Sequence, residues 1–255
     1  MKLNNKGIYI GNKHDEIIEK KISQLFKRYK ISSEEVLNNF PIYVRRQNLK
    51  RFISHLEIFK KTIKIPGDIA EFGVFRGCSL MTWANLLETY SIGSRTKRVF
   101  GFDNWRGFES FHKKDGKKIT SLAKKLKNYS PKKYLDELKE AIKIYDDDRF
   151  VKWKSRIILV EGSIEKTLKN FLKLNPGIKF NLVHFDMDLY KPTKIALKLI
   201  WNRVSKGGII IFDEYSIQNW PGETMAVDEF LKNKKEHLEC FSWTNTPGAF
   251  LVKNS

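Results

Sequence analysis

The chain has 255 residues and a formal net charge of +19, from 48 basic and 29 acidic side chains. This length supports one sizeable α/β domain with an appendage and excludes two full enzymatic domains. No apolar run reaches the roughly 18 residues that span a bilayer, and the polar N-terminus lacks a signal region, so we expect a cytoplasmic protein. The two cysteines, Cys78 and Cys240, are too few for a disulfide framework.

The positive charge raises the question of an anionic partner. Most of the cations are lysines spread along the chain, whereas a nucleic-acid reader concentrates arginine and aromatic side chains on one element. We therefore favour dispersed surface charge over a nucleic-acid site.

Helical spacing of apolar residues marks the first part of the chain. The pattern recurs over residues 15–29 and 49–59, so we interpret residues 1–65 as an N-terminal helical cap. Pro66-Gly67 then punctuates the chain and begins a second domain, residues 66–255.

Apolar strands alternate with amphipathic helices from there on, which is the rhythm of a parallel sheet. Strands are predicted at residues 69–73, 99–103, 157–161, 182–186, 209–213, 238–243 and 249–252. Helices are predicted at residues 80–89, 164–174, 193–204 and 224–233. Residues 244–248 leave no room for a helix, so the last two strands should be antiparallel. The predicted fold class is α/β, with a doubly wound, mostly parallel sheet of seven strands.

A lysine-rich insertion, residues 108–155, separates the second and third strands. One of its helices is predicted to open at Ser130-Pro131. Insertions of this length beside a site are often lids, so we expect a lid here.

The first strand ends in an acidic residue and a glycine-containing turn, Glu71 to Gly77. Ligands of open α/β sheets lie beyond the carboxyl ends of the strands. A carboxylate such as Glu71 suits the ammonium group of an amino-acid-like cofactor. Phe75 stands where a dinucleotide fingerprint requires glycine, which argues against a nicotinamide site.

Two further residues follow strand ends on the same side. Asp103 closes the second strand and is placed to accept two ribose hydroxyls, the alternative being a loop cap with Trp105 packed on the sheet edge. Ser163 follows the third strand and is placed to reach an adenine edge.

Clustered carboxylates end two more predicted strands. Asp186, Asp213 and Glu214 form an all-oxygen set suited to a hard cation such as magnesium, and Asp188 is left free as a general base. The alternative is a group of hydrated loop caps. His184, within an apolar strand, is interpreted as a core histidine.

Aromatic residues lie near these carboxylates. We expect Trp220, with Tyr190 and Tyr215 nearby, to stack on a ring of the acceptor. The alternative for Trp220 is an aromatic side chain that closes the core under a loop.

In their order, these motifs resemble the macrocin O-methyltransferase (TylF/MycF/NovP-like) family over residues 41–252. The matching segments are Pro66-Gly67-Asp68, Glu71-Phe72-Gly73-Val74, Arg76-Gly77, Gly101-Phe102-Asp103 with Gly107, Asp186-Met187-Asp188-Leu189-Tyr190 with Thr193, Lys206-Gly207-Gly208, Asp213-Glu214-Tyr215 and Ala226-Val227-Asp228-Glu229-Phe230. Glu214 is a departure, because the family commonly has aspartate there.

The resemblance implies a class I methyltransferase Rossmann-like fold with an antiparallel last strand and a donor of S-adenosylmethionine. It implies magnesium held by Asp186, Asp213 and Glu214, with Asp188 as proton acceptor. The residues expected to bind the cofactor are Glu71, Gly73, Phe75, Arg76, Gly77, Ser79, Asp103, Asn104, Trp105, Gly162, Ser163 and Asp186.

The implied activity is methylation of a hydroxyl on a saccharide or other small acceptor: a sugar, a glycosylated natural product or a nucleotide sugar. We also expect a homo-oligomer. Two alternatives use the basic surface, a nucleic-acid methyltransferase and a non-catalytic polyanion-binding module. Steep salt dependence would indicate the first, and a damaged carboxylate cluster would be needed for the second.

Overall fold

The structure is a computed structural model that describes residues 2–4, 7–9, 13–117, 119 and 132–254. The chain divides into two compact units, Met1–Leu49 and Lys50–Ser255. The helix Arg46–Thr62, which the sequence pattern placed in the N-terminal cap, lies mostly in the larger unit.

The smaller unit combines a short hairpin with helices. Its elements are β1 (Lys2–Asn4), β2 (Gly7–Tyr9), α1 (Lys13–Tyr29), α2 (Ser33–Asn38), α3 (Phe40–Tyr43) and the start of α4 (Arg46–Thr62). Strands β1 and β2 pair antiparallel. The sequence pattern did not indicate this hairpin, because three-residue strands are too short to show an alternation. Arg45 pairs with Asp15 and Glu19 within the unit.

The larger unit carries the alternating strands and helices. After α4 come β3 (Asp68–Phe72), α5 (Cys78–Tyr90), β4 (Val99–Asp103), α6 (Lys132–Asp148), β5 (Ile157–Glu161), α7 (Ile164–Leu174), β6 (Phe180–Phe185), α8 (Tyr190–Ile200), β7 (Val204–Phe212), α9 (Pro221–Leu231), β8 (Leu238–Glu239) and β9 (Ala249–Val252). The predicted bounds of β4, β5, α7 and β9 are confirmed.

Other predicted bounds differ from the structure, most widely around β7 and β8. The helix predicted to reach residue 204 ends at Ile200, and β7 begins at Val204, because the glycine-containing start of that strand breaks the apolar pattern. Strand β8 ends at Glu239 rather than at residue 243. The ring of Phe241 packs instead against Trp243 and Phe250, with centroids 5.1 and 5.3 Å away.

The seven strands of the larger unit form one sheet in the order β5-β4-β3-β6-β7-β9-β8. Neighbours from β5 to β7 pair parallel. The last strand, β9, is antiparallel to both β7 and β8. This order places the carboxyl ends of β3, β4, β5, β6 and β7 at one edge, and it confirms the predicted α/β fold with an antiparallel last strand.

Both faces of the sheet are covered. Helices α4, α5 and α6 contribute to the core on one face, and α7, α8 and α9 to the core on the other. The described part of the insertion from residue 132 onward is therefore part of the core, since Leu135, Leu138 and Ile142 are buried there. The predicted helix start at Ser130-Pro131 lies outside the described residues.

None of the helices within the described ranges has both the length and the hydropathy needed to cross a membrane.

Candidate functional site

Four acidic residues meet where β6 and β7 end. The strands are parallel neighbours with Phe185 opposite Phe212, so the residues that follow them emerge side by side. Carboxylate oxygens of Asp186, Asp188 and Glu214 lie within 4.8 Å of one another. We call Asp186, Asp188, Asp213 and Glu214 the carboxylate cluster.

A second close group contains Asp186, Asp213 and His184. Of the predicted cation ligands, Asp186 and Glu214 thus lie together with Asp188, while Asp213 faces His184. The sequence placed all three ligands at one point, but it did not show that Asp188 is as close to Asp186 and Glu214.

Arg51 bridges two members of the carboxylate cluster. Its Nη1 donates to Asp213 Oδ2 and its Nη2 to Asp186 Oδ2, each over 2.8 Å. The sequence reasoning missed Arg51, although a signal existed: Arg51 precedes His55, Ile58 and Thr62 at helical spacing, and those three residues are buried. A cation on the buried stripe of a helix needs an anionic partner.

Beneath the cluster, three polar residues lie on one face of the sheet. Glu71 and His184 are register partners on β3 and β6, and Asp213 follows β7 beside them. His184 Nε2 lies 3.2 Å from Asp213 Oδ1, and His184 Nδ1 lies 3.7 Å from Glu71 Oε2. We call Glu71, His184 and Asp213 the polar ladder.

The ladder holds its histidine charged. Burial alone would lower the pKa of His184, but the hydrogen bond with Asp213 and the nearby charges of Asp213 and Glu71 outweigh burial and raise that pKa to about 10. His184 is completely buried, as a core histidine would be.

Glu71 is the penultimate residue of β3 and is 1% exposed. Its Oε2 lies 3.7 Å from His184 Nδ1. The predicted contact of Glu71 with a cofactor ammonium stays a prediction.

The turn after β3 is built for close approach. Gly73 has φ +92°, and a Cβ there would lie 1.9 Å from the carbonyl oxygen of Asp186. Phe75 also has positive φ, 51°. The turn therefore passes directly against the start of the carboxylate cluster.

Asp103 fastens this turn. Its Oδ2 accepts hydrogen bonds from the backbone N–H groups of Val74 and Phe75, both at 2.8 Å, and its Oδ1 accepts one from Trp105 N at 2.7 Å. A carboxylate has about four lone-pair sites. The hydrogen bonds from this turn use most of those sites, and the ribose contact of Asp103 stays a prediction.

Two residues beside Asp103 form side-chain hydrogen bonds with backbone groups. Trp105 is 1% exposed and donates from Nε1 to Phe75 O over 2.9 Å. Asn104 donates to Gly107 O and accepts from Arg106 N. The alternative in which Trp105 packs at the sheet edge agrees with its burial, while its predicted cofactor contact stays untested.

The other predicted cofactor residues lie around the starts of two helices. Gly77 is the N-cap residue of α5, and Arg76 pairs with Glu137. Ser79 Oγ lies 3.1 Å from both Arg51 Nη2 and His55 Nε2, so this hydroxyl belongs to the Arg51 network.

Ser163 and Gly162 stand at the start of α7. Ser163 is the N-cap residue of α7, and its side chain makes no capping hydrogen bond. Gly162 N donates to Asp103 O over 2.8 Å. Ser163 is thus placed next to the Asp103 strand end, as its predicted adenine contact requires.

The charges of the cluster are unevenly balanced. Burial and the charge of Asp213 raise the pKa of Asp186, and burial with the charges of Asp186 and Asp213 raises that of Asp188. Burial also raises the pKa of Glu214. Although burial opposes it, the pKa of Asp213 is lowered because Arg51 and His184 stabilise its charge. Nearby positive charge therefore stabilises the ionised form of Asp213, but it is not sufficient to offset the raised pKa values of Asp186, Asp188 and Glu214.

Asp188 also has an unusual backbone. Its φ of 63° lies in the left-handed region, which costs a non-glycine residue about 1–3 kcal/mol and persists only where the surrounding structure enforces it. Such conformations concentrate at functional sites.

The three predicted acceptor-binding aromatics are engaged with protein groups. Tyr190 is 6% exposed and donates from its hydroxyl to Glu229 Oε2. Tyr215 donates to Asp228 Oδ1 over 2.7 Å. Trp220 is 6% exposed and its ring centroid lies 6.0 Å from that of Phe108. The burial of Trp220 agrees with the core alternative, and its stacking on an acceptor stays a prediction.

The start of the insertion is anchored beside the cluster by Asp115, which the sequence reasoning missed. Asp115 is 1% exposed and accepts hydrogen bonds of 2.6 Å from Tyr190 N and His112 N. A Cβ at Gly222 would lie 2.2 Å from Asp115 Oδ1, so glycine is needed there.

Comparisons with known proteins identify the family of the chain. Residues 42–250 match the model of a family described as macrocin-O-methyltransferase (TylF). A relative from Streptomyces olivaceus, 8-demethyl-8-(2,3-dimethoxy-alpha-L-rhamnosyl)-tetracenomycin-C 4'-O-methyltransferase, is 25% identical over 153 residues, or 60% of this chain and 54% of the relative. The chain thus spans about half the length of that relative.

Solved structures give broader matches. The crystal structure of CalS11, calicheamicin methyltransferase, is 28% identical with a TM-score of 0.85, over 99% of this chain and 97% of that one. The apo structure of CalS11, described as a TDP-rhamnose 3'-O-methyltransferase, is 28% identical with a TM-score of 0.80, over 98% of each chain. The O-methyltransferase NovP, at 20% identity, TM-score 0.63 and 81% of each chain, shows the shared fold alone.

Proposed function

The chain belongs to the macrocin O-methyltransferase family, and we propose that it transfers a methyl group from S-adenosylmethionine to a sugar hydroxyl. The observation that carries this proposal is the carboxylate cluster at the carboxyl ends of β6 and β7, in which carboxylate oxygens of Asp186, Asp188 and Glu214 lie within 4.8 Å of one another. Ligands of open α/β sheets bind at this end of the strands.

The residues around the β3 turn fit the cofactor. S-adenosylmethionine, when bound, supplies an activated methyl group on its sulfonium. Asp103 lies beside the β3 turn at the end of β4, where we assign it to the ribose hydroxyls, and the Ser163 hydroxyl is not used in capping α7. The positive φ of Gly73 lets the backbone turn sharply between Glu71 and the cluster.

The carboxylate cluster fits a divalent cation. Its donors are all oxygen, which hard cations such as magnesium prefer. Burial and mutual repulsion raise the pKa of Asp186 and Asp188, so further positive charge would stabilise both in the ionised form. We assign Asp186, Asp213 and Glu214 as ligands. A cation held there supplies, when bound, positive charge that stabilises a developing alkoxide.

Asp188 is the residue we assign as general base. A carboxylate oxygen of Asp188 lies within 4.8 Å of carboxylate oxygens of Asp186 and Glu214. We therefore expect Asp188 to border the position of the acceptor hydroxyl. To take the proton, a carboxylate oxygen of Asp188 must be ionised. Positive charge in the cluster favours that form, because it lowers the pKa that burial and neighbouring acids raise.

The acceptor we propose is a deoxysugar linked to a nucleotide or to a natural-product core. The support is the descriptions of the two relatives that carry the same fold or sequence pattern: one acts on TDP-rhamnose and the other on a rhamnosyl tetracenomycin. The basic surface, +19 in total, is compatible with a phosphate-bearing acceptor.

Calorimetric titration tests the cofactor and cation assignments. We expect wild type to bind S-adenosylmethionine and magnesium, and Asp186→Ala to lose magnesium binding. Glu165→Ala is the matched control, because Glu165 pairs with Lys191 on the surface. If wild type binds neither ligand, the proposal is wrong.

An acceptor screen tests the substrate class. Nucleotide-linked and aglycone-linked deoxysugars, and an RNA, are incubated with labelled S-adenosylmethionine. We expect labelling of a sugar with little dependence on salt. Labelling of RNA, with an affinity for RNA that falls steeply between low and physiological ionic strength, would show that the acceptor is a nucleic acid and not a sugar.

A further inference from the structure

We infer that Arg51 is a built-in counter-ion of the carboxylate cluster, which competes with the divalent cation for Asp186 and Asp213. The inference rests on the proposed cation site. It adds that the Arg51 guanidinium occupies two of the carboxylates of that site, Asp186 and Asp213. In this view, cation binding requires the Arg51 guanidinium to leave the two carboxylates.

The geometry of Arg51 is that of a bridge. Two different nitrogens of one guanidinium each donate to one oxygen of a different carboxylate, at 2.8 Å in both cases. The planar fork of arginine suits this arrangement, which a lysine ammonium reproduces poorly. Arg51 also donates from Nη2 to Ser79 Oγ, 3.1 Å away, which holds the fork in place.

Repulsion between the carboxylates explains why the protein has a positively charged side chain between Asp186 and Asp213. Two ionised carboxylates at close range repel one another, and one of them is then forced to bind a proton unless positive charge intervenes. Among the described residues, Arg51 is the cationic side chain that the structure pairs with both Asp186 and Asp213. The other nitrogen that the described residues place against these two carboxylates is His184 Nε2, 3.2 Å from Asp213 Oδ1.

The same two carboxylates are the ones we assign to the cation. A divalent cation at Asp186 Oδ2 and Asp213 Oδ2 would lie against the Arg51 guanidinium, which donates to both oxygens over 2.8 Å. Two positive charges at that range repel each other, so the two occupants compete for these oxygens. The Arg51 side chain is 27% exposed, whereas that of Asp213 is 2% exposed. When this pair separates, we therefore expect the Arg51 side chain to move and Asp213 to stay in place, because Arg51 is partly exposed to solvent.

Competition has a measurable consequence. The apparent affinity for a cation is reduced by the fraction of molecules in which its ligands are free. A variant without the guanidinium should bind the cation more tightly than wild type. A pure positioning role for Arg51 predicts the opposite, since loss of a residue that holds the ligands in place would weaken binding.

The test compares three variants by calorimetry with magnesium alone and with manganese alone. Arg51→Met removes the charge and keeps an apolar side chain, Arg51→Lys keeps a charge without the fork, and Lys50→Met is the matched control. Lys50 is adjacent on α4, but its Nζ donates to Trp243 O over 2.8 Å. Lys50→Met therefore removes the same formal charge without touching the cluster.

We expect Arg51→Met to bind magnesium about tenfold more tightly than wild type, Arg51→Lys to lie between them, and Lys50→Met to stay within about twofold of wild type. In chelator, Arg51→Met should melt at a lower temperature than wild type, and magnesium should raise its melting temperature more. If Arg51→Met does not fold in chelator, Arg51→Lys carries the comparison.

The outcomes separate this inference from the proposed function. Equal magnesium affinity in wild type and both Arg51 variants, or weaker binding in the variants, overturns the competition and leaves the cation site in place. Binding of S-adenosylmethionine without magnesium binding by any variant overturns the cation site and this inference together, and leaves the methyltransferase assignment.

Discussion

The two faces of the sheet differ sharply at the ends of the same three strands, β3, β6 and β7. One face carries the polar ladder, and the other carries aromatic rings at the adjacent positions: Phe72, Phe185 and Phe212. The rings of Phe72 and Phe185 have centroids 5.2 Å apart, and those of Phe185 and Phe212 lie 5.6 Å apart. Neighbouring residues in one strand point to opposite faces, so a single step along the chain separates the two environments.

The comparison teaches that stability and chemistry are divided between the faces. Burial of large aromatic rings is favourable in itself. Buried charges cost free energy unless each has a partner. The polar ladder is fully buried and ends at the carboxylate cluster. We therefore interpret the burial of the aromatic rings as a favourable free energy that offsets the cost of burying the charges of the ladder.

The largest expected effect is on chemistry. Asp188→Asn should lower turnover by about 10²–10⁴-fold, because the variant lacks the general base, while the affinity for S-adenosylmethionine stays close to that of wild type. Steady-state kinetics and cofactor titration measure the two quantities. Unchanged turnover would remove Asp188 from the role of base.

A change on the aromatic face should act on stability instead. Phe185→Ala removes a ring that is completely buried between Phe72 and Phe212, so the free energy of unfolding should fall by about 3–5 kcal/mol. Urea denaturation measures this loss. At a temperature where the variant is folded, its cofactor affinity should match wild type, and a selective loss of cofactor binding would break the division between the faces.

The polar ladder should make stability depend on pH. The pKa of His184 is raised to about 10, so its stabilising charge is fully present below the unfolded pKa of about 6.5 and is lost as pH rises through 10. We expect a loss of about 2–4 kcal/mol over this interval in cation-free protein, from denaturation curves at several pH values. Glu71→Gln should reduce the dependence, because it removes one of the two acids that hold the proton on His184. An identical dependence in Glu71→Gln would show that the ladder does not act as a unit.

The smallest effect is expected at the insertion. Asp115→Ala leaves the buried amide of Tyr190 without its side-chain acceptor, so unfolding should cost about 1–2 kcal/mol less. Proteolysis within the insertion should accelerate, and the KM for the acceptor should rise more than the cofactor Kd. Asp115→Asn, which keeps an acceptor oxygen, is the matched control and should recover most of the loss. Equal behaviour of the two variants would contradict an anchoring role.

The architecture could be predicted because its signals are local. Apolar runs mark the strands, amphipathic spacing marks the helices, and acids that directly follow strands must meet at one edge of a parallel sheet. The sequence therefore predicted that Asp186, Asp213 and Glu214 lie together, while the structure added that Asp188 is as close to Asp186 and Glu214. The order and motifs also sufficed for the family, which the match over residues 42–250 confirms.

The tertiary structure alone decided which groups these residues contact. Arg51 meets Asp186 and Asp213 from positions 135 and 162 residues away, and Asp115 meets Tyr190 from 75 residues away. Glu71 Oε2 lies 3.7 Å from His184 Nδ1, which the sequence pattern did not indicate. A sequence pattern reports the spacing of residues within an element, and it carries no distance between side chains of different elements. The partners of each buried charge therefore follow only from how the helices pack on the sheet.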